Sequence, residues 1–115
     1  YAGIVEAEKS AGVMTYYLPH IDWYASGGSN MLTPDKIKQL INKEIFLFPD
    51  VGMFGKWSEI MNKIKDKYRG IKIDISTECE VWHEQGLIAE GDDVADYYLK
   101  TYKFNHTKQQ IEKLT

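Results

Sequence analysis

Four short apolar runs, separated by segments of helical period, limit what this chain can fold into more than any other feature. Ala2 to Val5, Ile21 to Ala25, Glu44 to Phe48 and Ile71 to Ile75 have strand length and are rich in β-branched and aromatic residues. Glu44 to Phe48 reads Glu-Ile-Phe-Leu-Phe, apolar enough to be buried on both faces, as a central parallel strand is. Between the runs, Ala7, Ala11, Met14 and Leu18 repeat every three to four residues and predict a helix that stops before Pro19. Thr33-Pro34-Asp35 is a helix start, with a hydroxyl cap, a proline and a first-turn acid, and Ile37, Leu40 and Ile41 form its inward stripe. Trp57, Ile60, Met61, Ile64 and Tyr68 define a strongly amphipathic helix closed near Gly70. A further helix is expected from about Asp92 to Tyr102, with Val94, Tyr97, Tyr98 and Tyr102 inward; Ser76 to Gly91 reads as irregular and acidic. Strands alternating with helices predict an α/β fold: a mainly parallel four-stranded sheet in three layers, helices on both faces.

The 115 residues suffice for one domain, placed at 1–103, with 104–115 as a C-terminal helix or tail. A chain that opens on Tyr1 with a strand already under way reads as a domain cut from a longer protein, with flanking domains as its neighbours. The composition, 43% hydrophobic and 27% charged, excludes disorder, collagen and a disulfide scaffold. The single cysteine, Cys79, has no internal partner, and no apolar run approaches the roughly 18 residues of a membrane span. A cytoplasmic domain without membrane contact is the expectation.

The net charge of −3 hides a division. Eight acids and no Lys or Arg lie between Asp74 and Asp96, so the other residues carry an excess of bases. Lys63, Lys65, Lys67, Arg69 and Lys72 cluster around the third helix, where they form either a solvated face or a surface for a phosphate backbone.

In an open parallel sheet, ligands bind beyond the carboxyl ends of the strands, where the chain leaves for opposite faces. Glu6 and Glu8 follow the first run, Gly27-Gly28 the second, Asp50 the third, and Asp92, Asp93 and Asp96 come after the fourth. Carboxylates gathered at one rim are hard ligands of the kind Mg²⁺ takes, one or two at a time with waters and phosphate oxygens. Each acid also has a local explanation: Glu6 and Glu8 at a helix start, Asp50 in a turn, Asp92 and Asp93 as caps for the helix carrying Asp96. Gly27 and Gly28 permit close backbone approach, and Gly52 and Gly55 keep the loop after Asp50 small. The glycine spacing matches neither a dinucleotide fingerprint nor a P-loop. Cys79 and the three histidines show no catalytic or metal-ligand spacing, and Trp57 and Trp82 read as packing residues.

Four segments, in order, resemble the motifs of the Toprim domain. Ile4-Val5-Glu6-Ala7-Glu8-Lys9-Ser10-Ala11 resembles its opening strand and Glu-Gly-Glu-Lys-Asp-Ala. Ala25-Ser26-Gly27-Gly28 resembles its Gly-Gly, and Asp50-Val51-Gly52-Met53-Phe54-Gly55 its Asp-x-Asp-x-x-Gly. Asp92-Asp93-Val94-Ala95-Asp96-Tyr97-Tyr98-Leu99 is similar to the late Lys-Asp-x-x-Asp-Tyr-Leu of primase-type members. The variants that it resembles are Toprim-like domains of primase-related proteins on bacterial mobile elements.

The resemblance implies a Rossmann-like fold with Mg²⁺- or Mn²⁺-dependent phosphoryl or nucleotidyl transfer on DNA, RNA or nucleotides. It makes Glu6 the general acid or base and Asp50 a metal ligand, with Asp93, Asp96 and Glu8 as further oxygen donors. Lys9, Lys56, Lys63, Lys65, Lys67 and Arg69 would meet nucleic acid. Gly52 stands where the second metal aspartate is expected, and Ala7 replaces a glycine. Three functions follow: a primase-like nucleotidyltransferase, a catalytically degenerate module that binds nucleic acid or a nucleotide, and a nuclease of the same fold.

Overall fold

Chain topology is set by β1 (Ala2–Val5), which lies between β2 (Asp22–Ala25) and β3 (Ile45–Leu47), with β4 (Ile73–Ile75) outside β3. All three pairings are parallel, in the order β2-β1-β3-β4. The structure is a computed structural model that describes residues 1–27 and 32–102. The expected C-terminal helix or tail at 104–115, and Gly28, lie outside the described residues.

The helices are α1 (Glu8–Tyr17), α2 (Pro34–Ile37) with a 3₁₀ turn at Lys38–Leu40, α3 (Phe54–Lys67), α4 (Glu78–Glu84) and α5, residues 94–102. They cover both sheet faces, as two apolar clusters show. On one face Ala2, Ile4, Ile45, Leu47 and Ile73 pack with Ile37 and Leu40 and with Trp57, Met61 and Ile64 of α3. On the other, Val5, Trp23 and Phe48 pack with Met14 of α1, Cys79 of α4, and Val94 and Ala95 of α5. The α/β, three-layer, parallel architecture expected from the alternation is the one observed. None of the helices among the described residues is long and apolar enough to cross a membrane.

The period-based core holds best where the period is longest. Trp57 and Ile64 of α3 are completely buried, and Met14 anchors α1. Four expectations need correction. The helix begun at Thr33, whose side chain accepts from Lys36 N at 3.4 Å, gives way after one turn to the 3₁₀ geometry, and Ile41 beyond it is 40% exposed. Tyr102 is likewise exposed rather than inward. The helix expected from Asp92 begins at residue 94, because Asp93 serves as its cap. The acidic segment is not irregular: it contains α4.

That helix carries recognisable signals. Glu78 and Glu80 place acids in its first turn. Its end is closed by Gly86 at φ +76°, with Leu87 N donating to Trp82 O and Gly86 N to His83 O, both at 2.9 Å. Its inner face buries Cys79, and Trp82 stacks on Tyr97 of α5 at 3.6 Å between ring centroids.

One glycine is required by packing. A side chain at Gly3 would meet the indole of Trp23 at 2.6 Å, and that indole is fixed by donating to Leu18 O at 3.0 Å and packing on Phe48.

Candidate functional site

Because β1 sits between β2 and β3, the chain leaves β1 in one direction across the sheet and returns to its other side. The crevice between the carboxyl ends of β1 and β3 is therefore the topological switch point of the fold. Glu6 follows β1 directly. Asp50 follows β3 after Phe48 and Pro49, and Phe48 N donates to Ile4 O at 2.9 Å, carrying the ladder up to the foot of Asp50. Ser26 N to Val5 O at 2.8 Å and Gly27 N to Glu6 O at 2.9 Å fasten the other flank.

The two residues line one cleft, close enough for Glu6 to raise the pKa of Asp50. Asp50 is half-buried, and its Oδ1 is buried with no hydrogen-bond partner among the described residues. Two ionised carboxylates offer each other no donor, so their proximity calls for a proton or a cation. Burial, then the charge of Asp93, then Glu6, push the Asp50 pKa up to about 7, and Asp96 adds to the rise. An open cleft of about 320 Å³ lies over the pair, lined by Glu6, Asp50, Val51, Gly52, Met53, Glu90 and Gly91.

Asp93 and Asp96 are engaged differently. Asp93 Oδ1 accepts from Asp96 N at 3.1 Å, and Asp96 Oδ2 accepts from Asp93 N at 2.9 Å. This reciprocal arrangement is a capping box that starts α5. Asp93 is 5% exposed and reaches Asp50 through its charge; burial and Asp93 raise the Asp96 pKa against the opposing effect of the Asp93 N–H. Asp92 turns away, accepting from Ala89 N at 2.9 Å and Lys100 Nζ at 2.8 Å. Glu8 and Lys9 are exposed in the first turn of α1, outside the lining of the cleft.

Of the carboxylates expected at the rim, the structure thus brings Glu6 and Asp50 into one cleft, keeps Asp93 and Asp96 within electrostatic reach, and separates Glu8. Among the described residues there is no group of three or more His, Cys, Asp or Glu able to hold a metal ion. Glu6 and Asp50 fit a hard cation that takes two carboxylates and completes its shell with water or phosphate oxygens; they do not form a closed protein cage.

Gly52 has φ +93°, a conformation that side-chain-bearing residues rarely adopt. The turn into α3 therefore favours glycine at the position where the resemblance expects an aspartate. Gly27 has φ +85°, while Gly55 lies in the first turn of α3 with open space around it.

The basic residues divide. Lys56 is exposed in the first turn of α3, at the rim. Lys63, Lys65, Lys67 and Arg69 are exposed at the far end of that helix. Lys72 O accepts from Ile45 N at 2.9 Å, which fixes that end at the amino edge of the sheet. Over 14 residues α3 spans about 20 Å, so the basic run and the carboxylate pair occupy opposite ends of the strands. Lys67 is paired with Asp35 at 3.1 Å and Lys72 with Glu44 at 3.7 Å.

Two residues were missed by sequence reasoning. Glu90 lines the cleft, and Glu80 Oε1 accepts from Gly52 N at 2.9 Å. The α4 start signals would have put Glu80 on a helix; nothing local pairs it with a loop 28 residues away. Cys79, buried beside these acids, has its thiol pushed up to about 12 by burial first and then by Asp93 and Asp50, which keeps it protonated and unreactive.

Fold and site together define a parallel, doubly wound α/β domain with a carboxylate pair at its switch point. In sequence, residues 2–51 are similar to a domain of unknown function, DUF6371, a stretch that contains both Glu6 and Asp50. No curated protein and no solved structure matches the chain.

Proposed function

We propose that the chain is a Toprim-type domain of a primase-like protein, acting on the phosphate groups of DNA, RNA or nucleotides with Mg²⁺ or Mn²⁺ held by Glu6 and Asp50. The observation that carries this reading is that Glu6 and Asp50 line one cleft at the switch point, with Asp50 Oδ1 buried and unpartnered among the described residues. A divalent ion there supplies charge neutralisation at a phosphoryl group. The chain's own residues do the rest. The β1–β3 ladder brings Asp50 to the rim, and the Glu6 carboxylate oxygen that the ion would leave free is the group to take the proton of an attacking hydroxyl. With water as that hydroxyl the domain is a nuclease; with a 3′-hydroxyl it is a nucleotidyltransferase. The lone buried thiol supports a reducing compartment, and we assign the domain to the cytoplasm.

Calorimetric titration of Mn²⁺ into the wild type and Asp50→Ala tests the assignment. Binding that is lost in the variant supports it; no binding, or binding indifferent to Asp50, removes it.

A second reading is a catalytically degenerate module of the same fold that binds nucleotide or nucleic acid. Two observations favour it: the left-handed backbone at Gly52, and the engagement of Asp93 and Asp96 with each other. Gly52→Asp discriminates. Phosphotransfer or nuclease activity present in that variant and absent from the wild type assigns the natural domain to the degenerate class.

A further inference from the structure

We infer that Glu80 is a positioning residue for Asp50, acting through the backbone N–H of Gly52. The inference rests on the reading of Glu6 and Asp50 as a cation site. The loop that carries Asp50 is clasped by a segment belonging to neither strand. Val51 N donates to Asp92 O at 2.8 Å, and Gly91 N donates to Val51 O at 3.3 Å. The next N–H, that of Gly52, donates to Glu80 Oε1 at 2.9 Å.

The Val51 bonds are main chain to main chain and survive any change of side chain. The Gly52 bond depends on one side chain. It falls on the residue with the greatest backbone freedom in the loop, since glycine populates both signs of φ and nothing lies within 4 Å of where a Cβ would stand. A carboxylate acceptor makes this a strong bond. Its other end is anchored, because Cys79, the residue before Glu80, is buried in the same apolar cluster as Val51. Glu80 thus fixes the peptide that follows Val51, and with it the placing of Asp50 beside Glu6. Partners that orient a ligand in this way typically change metal affinity about 10- to 100-fold when removed.

Two variants of the whole chain separate the bond from the charge. Glu80→Gln keeps an acceptor oxygen at the same reach and loses the charge. Glu80→Asp keeps the charge and a first-turn acid, and withdraws the oxygen by one methylene. Mn²⁺ titration is expected to give the Gln variant an affinity within about twofold of wild type and the Asp variant one weaker by roughly tenfold. Faster hydrogen exchange at the Gly52 amide in the Asp variant alone, at an unchanged unfolding temperature, accompanies it. An Asp variant that binds like the wild type, or a Gln variant that loses affinity as the Asp variant does, overturns the inference. Absence of Mn²⁺ binding in the wild type overturns the cation reading itself and this inference with it.

Discussion

Glu6 and Asp50 follow two adjacent parallel strands in the same direction and line one cleft, both half-buried, at the switch point of the sheet. Their proximity is unfavourable for the apo fold once both groups are charged, and this gives it measurable consequences.

Stability depends on pH through Asp50. Its folded pKa of about 7 lies above the ordinary value of 3.8, so the fold keeps a proton that the unfolded chain has already lost. The resulting stabilisation is full below about pH 4 and is lost as pH rises through about 7. Asp50→Asn removes the charge while keeping the shape. Thermal unfolding should show the variant several degrees more stable than wild type at pH 8, with the gap narrowing at pH 5 and closing below about pH 4. A gap independent of pH would contradict this origin.

Cation binding should follow the same proton. Occupancy by Mn²⁺ requires an ionised Asp50, so affinity rises from pH 6 to pH 8 and levels off above the pKa. Calorimetry at pH 6 in buffers of different ionisation enthalpy should show proton release on binding that disappears by pH 8.5.

Asp93 is primarily the cap of α5. Asn caps as well as Asp, so Asp93→Asn should unfold at nearly the wild-type temperature, whereas Asp93→Ala should lose about 0.5–2 kcal/mol. If Asp93 is instead a direct cation ligand, the Asn variant will lose Mn²⁺ affinity despite its intact fold.

Much of this was readable from the chain, for reasons that differ by element. Alternation of strand and helix signals gave the parallel sheet, and Glu6 and Asp50 were found because the residues after strands are the ones a switch point brings together. The dual nature of Asp93 was also visible, as cap or ligand, and only the reciprocal bonds with Asp96 separate the two. The helix of Glu78–Glu84 was hidden because just seven residues carry it, with Cys79 and Trp82 too sparse an inward stripe to show a period. Glu80 and Gly52 are joined by tertiary packing alone. The distance between the basic run and the rim required knowing that α3 runs back along the strands, which no count of charges reveals.

Gly3 is a packing position. Gly3→Ala places a methyl 2.6 Å from the Trp23 ring, which is held on both sides and cannot retreat. The expected cost is about 1–3 kcal/mol, read from denaturant unfolding, with a change in Trp fluorescence reporting the displaced indole.

Nucleic-acid contact, if made by the basic run, should be separable from cation binding. Lys63→Glu with Lys65→Glu should flatten the salt dependence of nucleic-acid binding and leave Mn²⁺ affinity within about twofold, since one site is some 20 Å from the other. Equal loss of both would mean that the two ends act as one surface.

The exposed Lys63, Lys65 and Arg69 lie toward the amino edge of the sheet, and Glu6 and Asp50 at its carboxyl edge, some 20 Å away. A polyanion drawn to Lys63, Lys65 and Arg69 would therefore meet the chain away from Glu6 and Asp50. First encounter and chemistry would then use opposite poles. A strand captured at the first pole must run the length of α3 to reach the second, or the cleft must be served by a different strand from the one that is held.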